Sequence, residues 1–339
     1  MKKSLLLLLG ILLIGFCYAQ DFTFSQFYEQ PLLRNPALAG VFTGDLRVSV
    51  AYRDQWGSIT VPFRTTSMSI ENKIPVGKHN DVLTIGSQMT MDGAGDIRLK
   101  RTQVMPVINF HKSLDGEKDT YLSLAFMGGP VSSQFDATQL KFGDQYVAGA
   151  YSSANVSNQT ISATGYSYWD MSTGLSFSTT VGNKTHVYIA GGIAHFIKPT
   201  VHSLTTTSAD FLSPKYSVNL GLNGPMGERG HFIAFADYIA QNGNHQILGG
   251  ALLGIEATQY DNEEAAVFYI GSFLRWGDAV IPVVKMDFNH MSIGVSYDVN
   301  VSKLNVVSNW RGGLELTASF KGFLKIRNST LDQVRCIRF

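Results

Sequence analysis

The sequence predicts an all-β protein, a transmembrane antiparallel β-barrel of the outer-membrane type with about fourteen strands, a short N-terminal arm and a C-terminal tail. Three observations predict this fold. The chain begins with an export signal, it has few charged residues and no later stretch long enough for a spanning helix, and most of it alternates between apolar and polar residues. We divide it into a signal peptide at 1–19, the arm at 20–45, the barrel at 46–323 and the tail at 324–339.

The first residues have the three parts of a signal peptide. Two lysines precede the apolar run 5–16, which leads to the small-residue site Cys17-Tyr18-Ala19. The run is too short to cross a bilayer comfortably as a helix. We therefore expect export and cleavage before Gln20. Cleavage leaves Cys336 as the remaining cysteine, so no disulfide can form within the mature chain.

Composition narrows the class of protein further. Charged residues make up 16% of the chain, against about 25% in an average soluble domain. The 27 basic residues nearly balance the 26 acidic ones, so the chain has no strong field that would attract nucleic acid. A chain of this composition has to place its apolar side chains on β-sheets. We expect lipids of the outer membrane to contact the apolar surface of those sheets.

Apolar and polar residues alternate with period 2 through most of the chain, which is the pattern of half-buried strands. Leu220 and Leu222, for example, alternate with Asn219 and Gly221. A soluble sandwich alternates in the same way, but strands of about 9–11 residues in an even number favour a membrane barrel. The predicted strands are 46–54, 65–74, 81–91, 100–112, 119–131, 168–181, 185–198, 214–224, 229–240, 245–257, 265–276, 278–288, 290–300 and 310–322.

The lengths of the connections give an independent check. The long connections 55–64, 132–167, 199–213 and 301–309 all follow odd-numbered strands, whereas most connections after even-numbered strands are tight turns. Outer-membrane barrels have short periplasmic turns and long external loops. The sorting therefore predicts that the odd connections lie outside the cell, and that both termini lie in the periplasm.

Aromatic residues near the predicted strand ends favour the same fold. Amphipathic rings prefer the two interfaces of a membrane, where they form girdles around a barrel. The predicted girdle residues are Tyr121, Tyr168, Trp169, Tyr216, Tyr238, Tyr260, Trp276 and Trp310.

The arm is the part of the mature chain before the tail that lacks the pattern of strands and turns. Pro31 and Pro36 interrupt any helix, and Gly40 allows a tight turn. Irregular backbone cannot face lipid, because its polar groups would lack hydrogen bonds. We expect the arm to lie in the periplasm, or in the lumen bonded to inward groups such as Arg47 and Glu71. Arg53 and Lys73 lie on the same polar faces of the first two strands as Arg47 and Glu71. We expect these four charged side chains to form a ladder of ion pairs, or to bind the arm or a peptide of a partner protein.

The sequence gives no sign of catalysis or cofactor binding. No two of the eight histidines have metal-ligand spacing, and neither a nucleophile elbow nor a phosphate-binding loop is present. The segment 92–96 has two aspartates around glycines, which are too few ligands for calcium and fit a hairpin turn better. We therefore predict a protein that is not an enzyme and has no cofactor or metal.

A resemblance to a known family lies in the arm and the first strand. The motif runs through Ser25, Gln26, Phe27, Tyr28, Pro31, Asn35, Pro36, Ala37, Gly40, Tyr52, Arg53, Gln55 and Trp56. In this order the residues resemble the N-terminal signature of the PorP/SprF family, outer-membrane proteins of the type IX secretion and gliding machinery of Bacteroidetes. The end of the chain, at Cys336, Arg338 and Phe339, is similar to the family's C-terminus, although Ile337 stands where the family often has proline.

The resemblance implies a non-enzymatic part of the secretion apparatus that helps export a secreted protein or hold it at the surface. The implied partners are periplasmic or lipoprotein components of the apparatus and an adhesin-like cargo. The residues of the motif are then candidates for partner contacts, and the basic tail 324–339 is a candidate docking strand in the periplasm. The alternative function is a general porin or solute channel of the outer membrane, which would keep an open polar lumen.

Overall fold

The structure is a computed structural model that describes residues 21–57, 61–77, 80–115, 118–159, 161, 163–182, 184–202, 209–257, 266–303 and 305–323. Fourteen strands form one closed antiparallel barrel, in which the first strand pairs with the last between Leu46↔Gly322 and Gln55↔Gly313. The predicted fold class and strand number are therefore confirmed. No helix in the described parts of the chain is long and apolar enough to cross a bilayer.

Eighteen strands are found among these residues, fourteen of them in the barrel. The barrel strands are β1 (Leu46–Gln55), β2 (Phe63–Val76), β3 (Asp81–Ala94), β4 (Leu99–Asp115), β5 (Thr120–Gln134), β8 (Gly165–Val181), β9 (Thr185–Ala194), β12 (Lys215–Met226), β13 (Gly230–Gln241), β14 (Asn244–Glu256), β15 (Val267–Arg275), β16 (Ala279–Phe288), β17 (Met291–Asn300) and β18 (Arg311–Gly322).

The remaining elements are short and lie in connections. Strands β6 (Tyr146–Val147) and β7 (Ala150–Tyr151) form a hairpin in the connection after β5, and β10 (Thr200–His202) and β11 (Ala209–Phe211) form another after β9. The arm contains the helix α1 (Pro31–Arg34), and the connection after β17 contains α2 (Asn305–Ser308).

The two ends of the barrel differ in their connections. We number the fourteen barrel strands in chain order and call one end of the barrel the odd end, because it carries the connections that follow the odd-numbered strands. The opposite end is the even end. Four long connections lie at the odd end as expected, at 56–62, 135–164, 195–214 and 301–310. The connection 257–266 at the even end is also long, so the sorting by length is less complete than the sequence suggests. The barrel begins and finishes at the even end, with Leu46 and Gly322.

The two faces of the wall have opposite chemistry. On β12, Leu220 is 45% exposed, whereas Asn219 beside it is fully buried in the lumen. The same alternation around the barrel places apolar side chains outside and polar or small ones inside, which is the arrangement of a membrane barrel and the inverse of a soluble sandwich.

Of the aromatic residues predicted for the girdle, five face outward as a girdle requires and one does not. Trp169, Trp276, Trp310, Tyr216 and Tyr238 have large exposed fractions on the outer surface, and Tyr168 is half-buried. Tyr121 instead faces inward and is fully buried, because its neighbour Leu122 takes the outward position and the pleat alternates. Tyr260 lies outside the described residues.

Candidate functional site

The arm lies inside the barrel, the second of the two places expected for it. Asp21 lies at the odd end, where its carboxylate contacts Arg101 at 3.2 Å, His195 at 2.8 Å and Lys215 at 2.8 Å. From there the chain runs down the lumen and enters β1 at the even end. The expectation that the arm starts at the same end of the barrel as the last strand finishes is therefore wrong. The described arm begins at the end opposite to the one where β18 finishes, because buried partners hold it along the whole lumen.

Prolines and one asparagine determine the local shape of the arm. Pro31 is the first residue of α1, and Pro36 is the first residue of a 3₁₀ turn at Pro36–Leu38. Proline suits these places because the first residue of a helix needs no N–H donor. Asn35 lies between the two turns and caps the second one, since its Oδ1 accepts a hydrogen bond from the Ala37 N–H at 2.9 Å. The arm is thereby a chain of short turns, which fits the irregular pattern of its sequence.

The first anchor of the arm is a carboxylate that binds two backbone amides. The N–H groups of Ser25 and Gln26 donate to Glu315 at 2.7 and 2.6 Å. Arg275 donates to the Ser25 hydroxyl at 2.7 Å, and that hydroxyl in turn donates to Asp298. Hydrogen bonds to charged groups are roughly twice as strong as neutral ones. This anchor fixes the arm to the wall formed by β15, β17 and β18.

Arg53 joins the same anchor from β1. Its guanidinium donates to the carbonyl oxygen of Thr23 and to Asp298, the latter at 2.8 Å. The expected ladder placed Arg53 with charges on β2, but its ion-pair partners lie on β17 and β18, which are the neighbours that closure of the barrel brings to it.

Aromatic rings form the second anchor, at mid-height. Phe27 contacts Phe273 edge-to-face with ring centroids 5.3 Å apart, and Tyr28 stacks on Phe235 and Phe273 at 5.2 and 5.1 Å. Aromatic pairs of this kind each contribute about 0.5–1.5 kcal/mol beyond the burial of their area. Arg34 lies over the Phe27 ring at 4.9 Å and closes the cluster.

Arg34 is also the centre of the third anchor. Its guanidinium binds Asp237 through two hydrogen bonds of 2.6 and 2.7 Å and donates a third one of 2.8 Å to the Tyr188 hydroxyl. Burial would lower the pKa of Arg34, but the charge of Asp237 outweighs it and raises this pKa above its usual range. Both side chains are almost fully buried, so loss of either partner would leave an uncompensated charge in the lumen.

Two acidic residues of the arm are held by basic groups of the wall. Glu29 contacts Lys285 at 3.0 Å. Burial alone would raise the pKa of Glu29, but the ammonium groups of Lys285 and Lys321 lower it to about 2. Burial likewise opposes ionisation of Asp21, and the cations around it, Lys215 first, keep its pKa well below the usual value. Both carboxylates are therefore charged at neutral pH.

Small residues of the wall make room for the turn at Asn35. A Cβ atom at Gly174 or Gly192 would collide with the Asn35 side chain in its present position, so glycine at both places leaves room for it. Carbonyl groups of the turn also find partners on the wall. Asn109 donates to the carbonyl oxygens of Ala37 and Ala39 at 3.0 and 2.8 Å, which satisfies backbone that the turn leaves unbonded.

The fourth anchor lies at the even end. Glu71 accepts two hydrogen bonds from Arg47, at 2.8 and 2.9 Å, and one from the N–H of Gly40 at 2.9 Å. Lys73 donates to the carbonyl oxygen of Phe42 at 2.6 Å. Gly40 has φ +80°, and a Cβ there would collide with Thr84. These charges form the predicted ion pair between β1 and β2 and also hold the arm, so both interpretations of them apply.

The structure separates the motif residues into two groups. The arm members are buried in the lumen and contact the wall, and Arg53 joins them from β1; these are Ser25, Gln26, Phe27, Tyr28, Pro31, Asn35, Pro36, Ala37 and Gly40. Tyr52, Gln55 and Trp56 lie half-buried near the odd end, where Trp56 contacts Phe63 with ring centroids 5.4 Å apart. Cys336, Arg338 and Phe339 lie outside the described residues.

Several wall residues that hold the arm were not among the sequence candidates. They share one signal, a polar residue at an inward position of an alternating strand; they are Asn109, Tyr188, Asp237, Arg275, Lys285, Asp298 and Glu315. The alternation could have identified the inward positions, but it contains no information on which of them meets the arm.

The arm crosses the lumen between opposite walls and occupies its centre, so the arrangement acts as a built-in plug. It binds β2 through Glu71 on one side of the barrel and β13 through Asp237 on the opposite side. Two further contacts flank β2, to β4 through Asn109 and to β18 through Glu315. Among the described residues there is no group of three or more His, Cys, Asp or Glu side chains that could hold a metal ion.

Comparisons with known proteins give a family and a set of barrels. A sequence model of the family described as "Type IX secretion system membrane protein PorP/SprF" matches residues 16–320. A search of characterised proteins by sequence found no significant match.

Solved structures that are similar to the chain include several barrels. One is the toluene transporter TodX of Pseudomonas putida, with 9% identity and a TM-score of 0.47 over 85% of this chain and 92% of that one. Another is the CymD monoaromatic hydrocarbon channel, with 10% identity and a TM-score of 0.45 over 88% and 94%. A third is the translocator domain of the autotransporter NalP from Neisseria meningitidis, with 10% identity and a TM-score of 0.42 over 88% and 96%.

Proposed function

The chain belongs to the PorP/SprF family of type IX secretion system membrane proteins, and from this we propose that it is a non-enzymatic outer-membrane component that helps to export a secreted protein or to hold it at the cell surface. Its partners are periplasmic or lipoprotein components of the apparatus and the secreted protein itself. In this proposal the odd end faces the outside of the cell, where two hairpins extend the connections after β5 and β9.

The observation that carries the proposal is the arm in the lumen. A general porin works through an open polar constriction. Here the lumen holds a protein segment that is bonded to the wall through buried ion pairs. A barrel with this interior suits the role of a receptor or scaffold for other proteins better than that of a free path for solutes.

The test of this role combines two substitutions in the arm, Phe27→Ala and Tyr28→Ala. We expect the barrel to assemble in the outer membrane, because the wall pairing does not include these residues, and we expect less of the secreted partner at the cell surface. Heat-modifiable mobility measures folding, and immunodetection on whole cells measures display. The matched control is Tyr216→Ala with Tyr238→Ala, two exposed aromatic residues of the outer wall.

Normal display by the double arm variant would contradict a role of the arm in secretion. Loss of the folded barrel would instead make the arm a part of the scaffold. A second measurement addresses the porin alternative. The purified wild-type protein should conduct poorly in planar bilayers and should co-purify with other components from detergent extracts, whereas a large open conductance of the barrel alone would favour a porin.

A further inference from the structure

The ladder of hydrogen bonds between β4 and β5 is interrupted in the half of the barrel near the odd end. Both strands lie within the described residues, and they pair at Gln103↔Val131 and again at Val107↔Met127. Between these pairs, residues 104–106 of β4 lie opposite residues 128–130 of β5 without ladder pairing. We call these six residues the β4–β5 gap. The register is the same on both sides of the gap, so a β-bulge is not its cause.

Two prolines explain the gap. Pro106 belongs to β4 and Pro130 to β5, and both lie inside it. Proline has no N–H group, so neither residue can donate a hydrogen bond to the neighbouring strand. Within sheets, proline is otherwise found at edges, strand starts and bulges. Gly128 and Gly129 add no side chains here, so this part of the wall is thin and is held by fewer hydrogen bonds than the wall on either side of it.

The lumen side of the gap is apolar, unlike most of the lumen. Met105 and Met127 point inward beside the gap and pack with Leu32 of the arm in one buried cluster. A cavity of about 40 Å³ adjoins these three residues and Leu33. It has room for the terminal methyl group of a chain. Methionine is unbranched and adapts to irregular spaces, so the two methionines can make room for more.

The charged residues around the same cavity lie toward the odd end and are bonded to one another. Asp21 binds His195 and Lys215, each at 2.8 Å, and His195 binds Asp170 at 2.6 Å. An apolar group that enters beside Met105 therefore contacts apolar side chains and takes no partner away from a charge.

The outer side of the gap is apolar as well. Val104 is 37% exposed on the outer face, and Met171 of β8 lies so close to Gly128 that a Cβ there would come within 3.0 Å of its Cγ atom. The outer face of a membrane barrel lies against lipid hydrocarbon. The gap therefore separates the bilayer from an apolar part of the lumen.

We propose that the β4–β5 gap is a lateral opening through which the acyl chain of a membrane lipid reaches the arm at Leu32. The strands can separate here without breaking hydrogen bonds that the two prolines do not make. A lipid is the occupant because lipid chains lie directly against the outer face of the gap. The opening does not depend on the proposed role in secretion.

A second interruption provides a contrast. The pairing of β16 with β17 stops after Val280↔Val299 and resumes at Val283↔Ser296, and Pro282 lies between. The lumen side there carries Asp298, which binds Arg53 and Arg275. An acyl chain would meet buried charges at this place, so we expect none to enter.

The experiment is photo-crosslinking of the full-length protein in lipid vesicles. The probe is a phosphatidylcholine with a diazirine at the end of one acyl chain, and mass spectrometry locates the adducts. We expect adducts on outward residues such as Phe126, which is 53% exposed, and on the arm at residues 31–34. The arm lies in the lumen, so an adduct there requires a lipid chain inside the wall.

Variants assign the route. Pro106→Val with Pro130→Val restores both N–H groups, and two added hydrogen bonds should lower the yield of arm adducts about tenfold or more. The adducts on Phe126 should not change. Pro282→Val is the matched control, because it restores an N–H group at the other interruption, and it should leave the arm adducts as they are. If the double variant does not fold by heat-modifiable mobility, Pro130→Val replaces it.

The proposal is overturned by any of three results. One is the absence of arm adducts in the wild type, the second is an unchanged yield in the proline variant of the β4–β5 gap, and the third is an equal loss in Pro282→Val. All three are measured on the purified barrel, so they are separate from the display assay that tests the function in secretion.

Discussion

The buried pair of Arg34 and Asp237 provides the sharpest test of how the arm is held. Replacing Arg34 by methionine keeps most of the side-chain length but leaves the Asp237 carboxylate buried without its two hydrogen bonds of 2.6 and 2.7 Å. Breaking one partner of a buried ion pair costs about 3–5 kcal/mol. Since each 1.4 kcal/mol is about a factor of ten, the docked arm should lose a factor of roughly a hundred to a few thousand in its equilibrium against release.

The measurement is amide hydrogen exchange of the arm, which reports the free energy of local opening. In Arg34→Met the arm amides should exchange faster by about that factor, while the amides of the barrel strands keep their protection. Adding Asp237→Leu should restore most of the protection, because a buried ion pair replaced by apolar side chains of similar size is often neutral. The second substitution thus distinguishes an uncompensated charge from a general loss of packing.

Arg64→Met is the matched control. Arg64 contacts Asp54 at 3.1 Å, but its side chain is 62% exposed, and exposed pairs contribute at most about 1 kcal/mol. This variant should leave the exchange of the arm unchanged. The reasoning would be refuted by arm amides that keep their protection in Arg34→Met, or by a double variant as unprotected as the single one.

Three further predictions concern the membrane topology, the lipid face and the turn at the even end. A single cysteine at Ala154, in the connection after β5, should react with a membrane-impermeant reagent on whole cells, and one at Glu228, in an even-end turn, should not; the reverse would invert the orientation. Leu220→Arg should destabilise the barrel by about 2–4 kcal/mol if it lies near the bilayer midplane, and Tyr216→Arg, closer to an interface, by about 0–1 kcal/mol. Heat-modifiable mobility in a urea series would measure both, and equal costs would contradict the assigned depth. Gly40→Ala should speed exchange of the arm, since the added Cβ meets the wall and φ is positive, whereas Gly95→Ala, whose Cβ would meet open space, should not; unchanged exchange in both would count against the close fit at Gly40.

The sequence by itself determined the architecture of the wall. Alternation has period 2, so it depends only on neighbouring residues, and it identified the strands, their number and nearly all of the faces. It also indicated that residues 20–45 form neither strand nor long helix, because two prolines and a positive-φ glycine are local constraints. The prediction of Tyr121 as a girdle residue was wrong because it relied on the nearness of Tyr121 to a strand end. The alternation places Tyr121 inward, beside the outward Leu122.

The tertiary structure alone decided where the arm lies and what holds it. Glu315 is 290 residues from Ser25 in the chain, and Asp237 is 203 residues from Arg34. Closure of the barrel brings these pairs together, and no periodicity contains that information. The position of Asp21 at the odd end follows from the same cause. Buried charges require specific partners, so the arm lies where the wall supplies partners for its own charges.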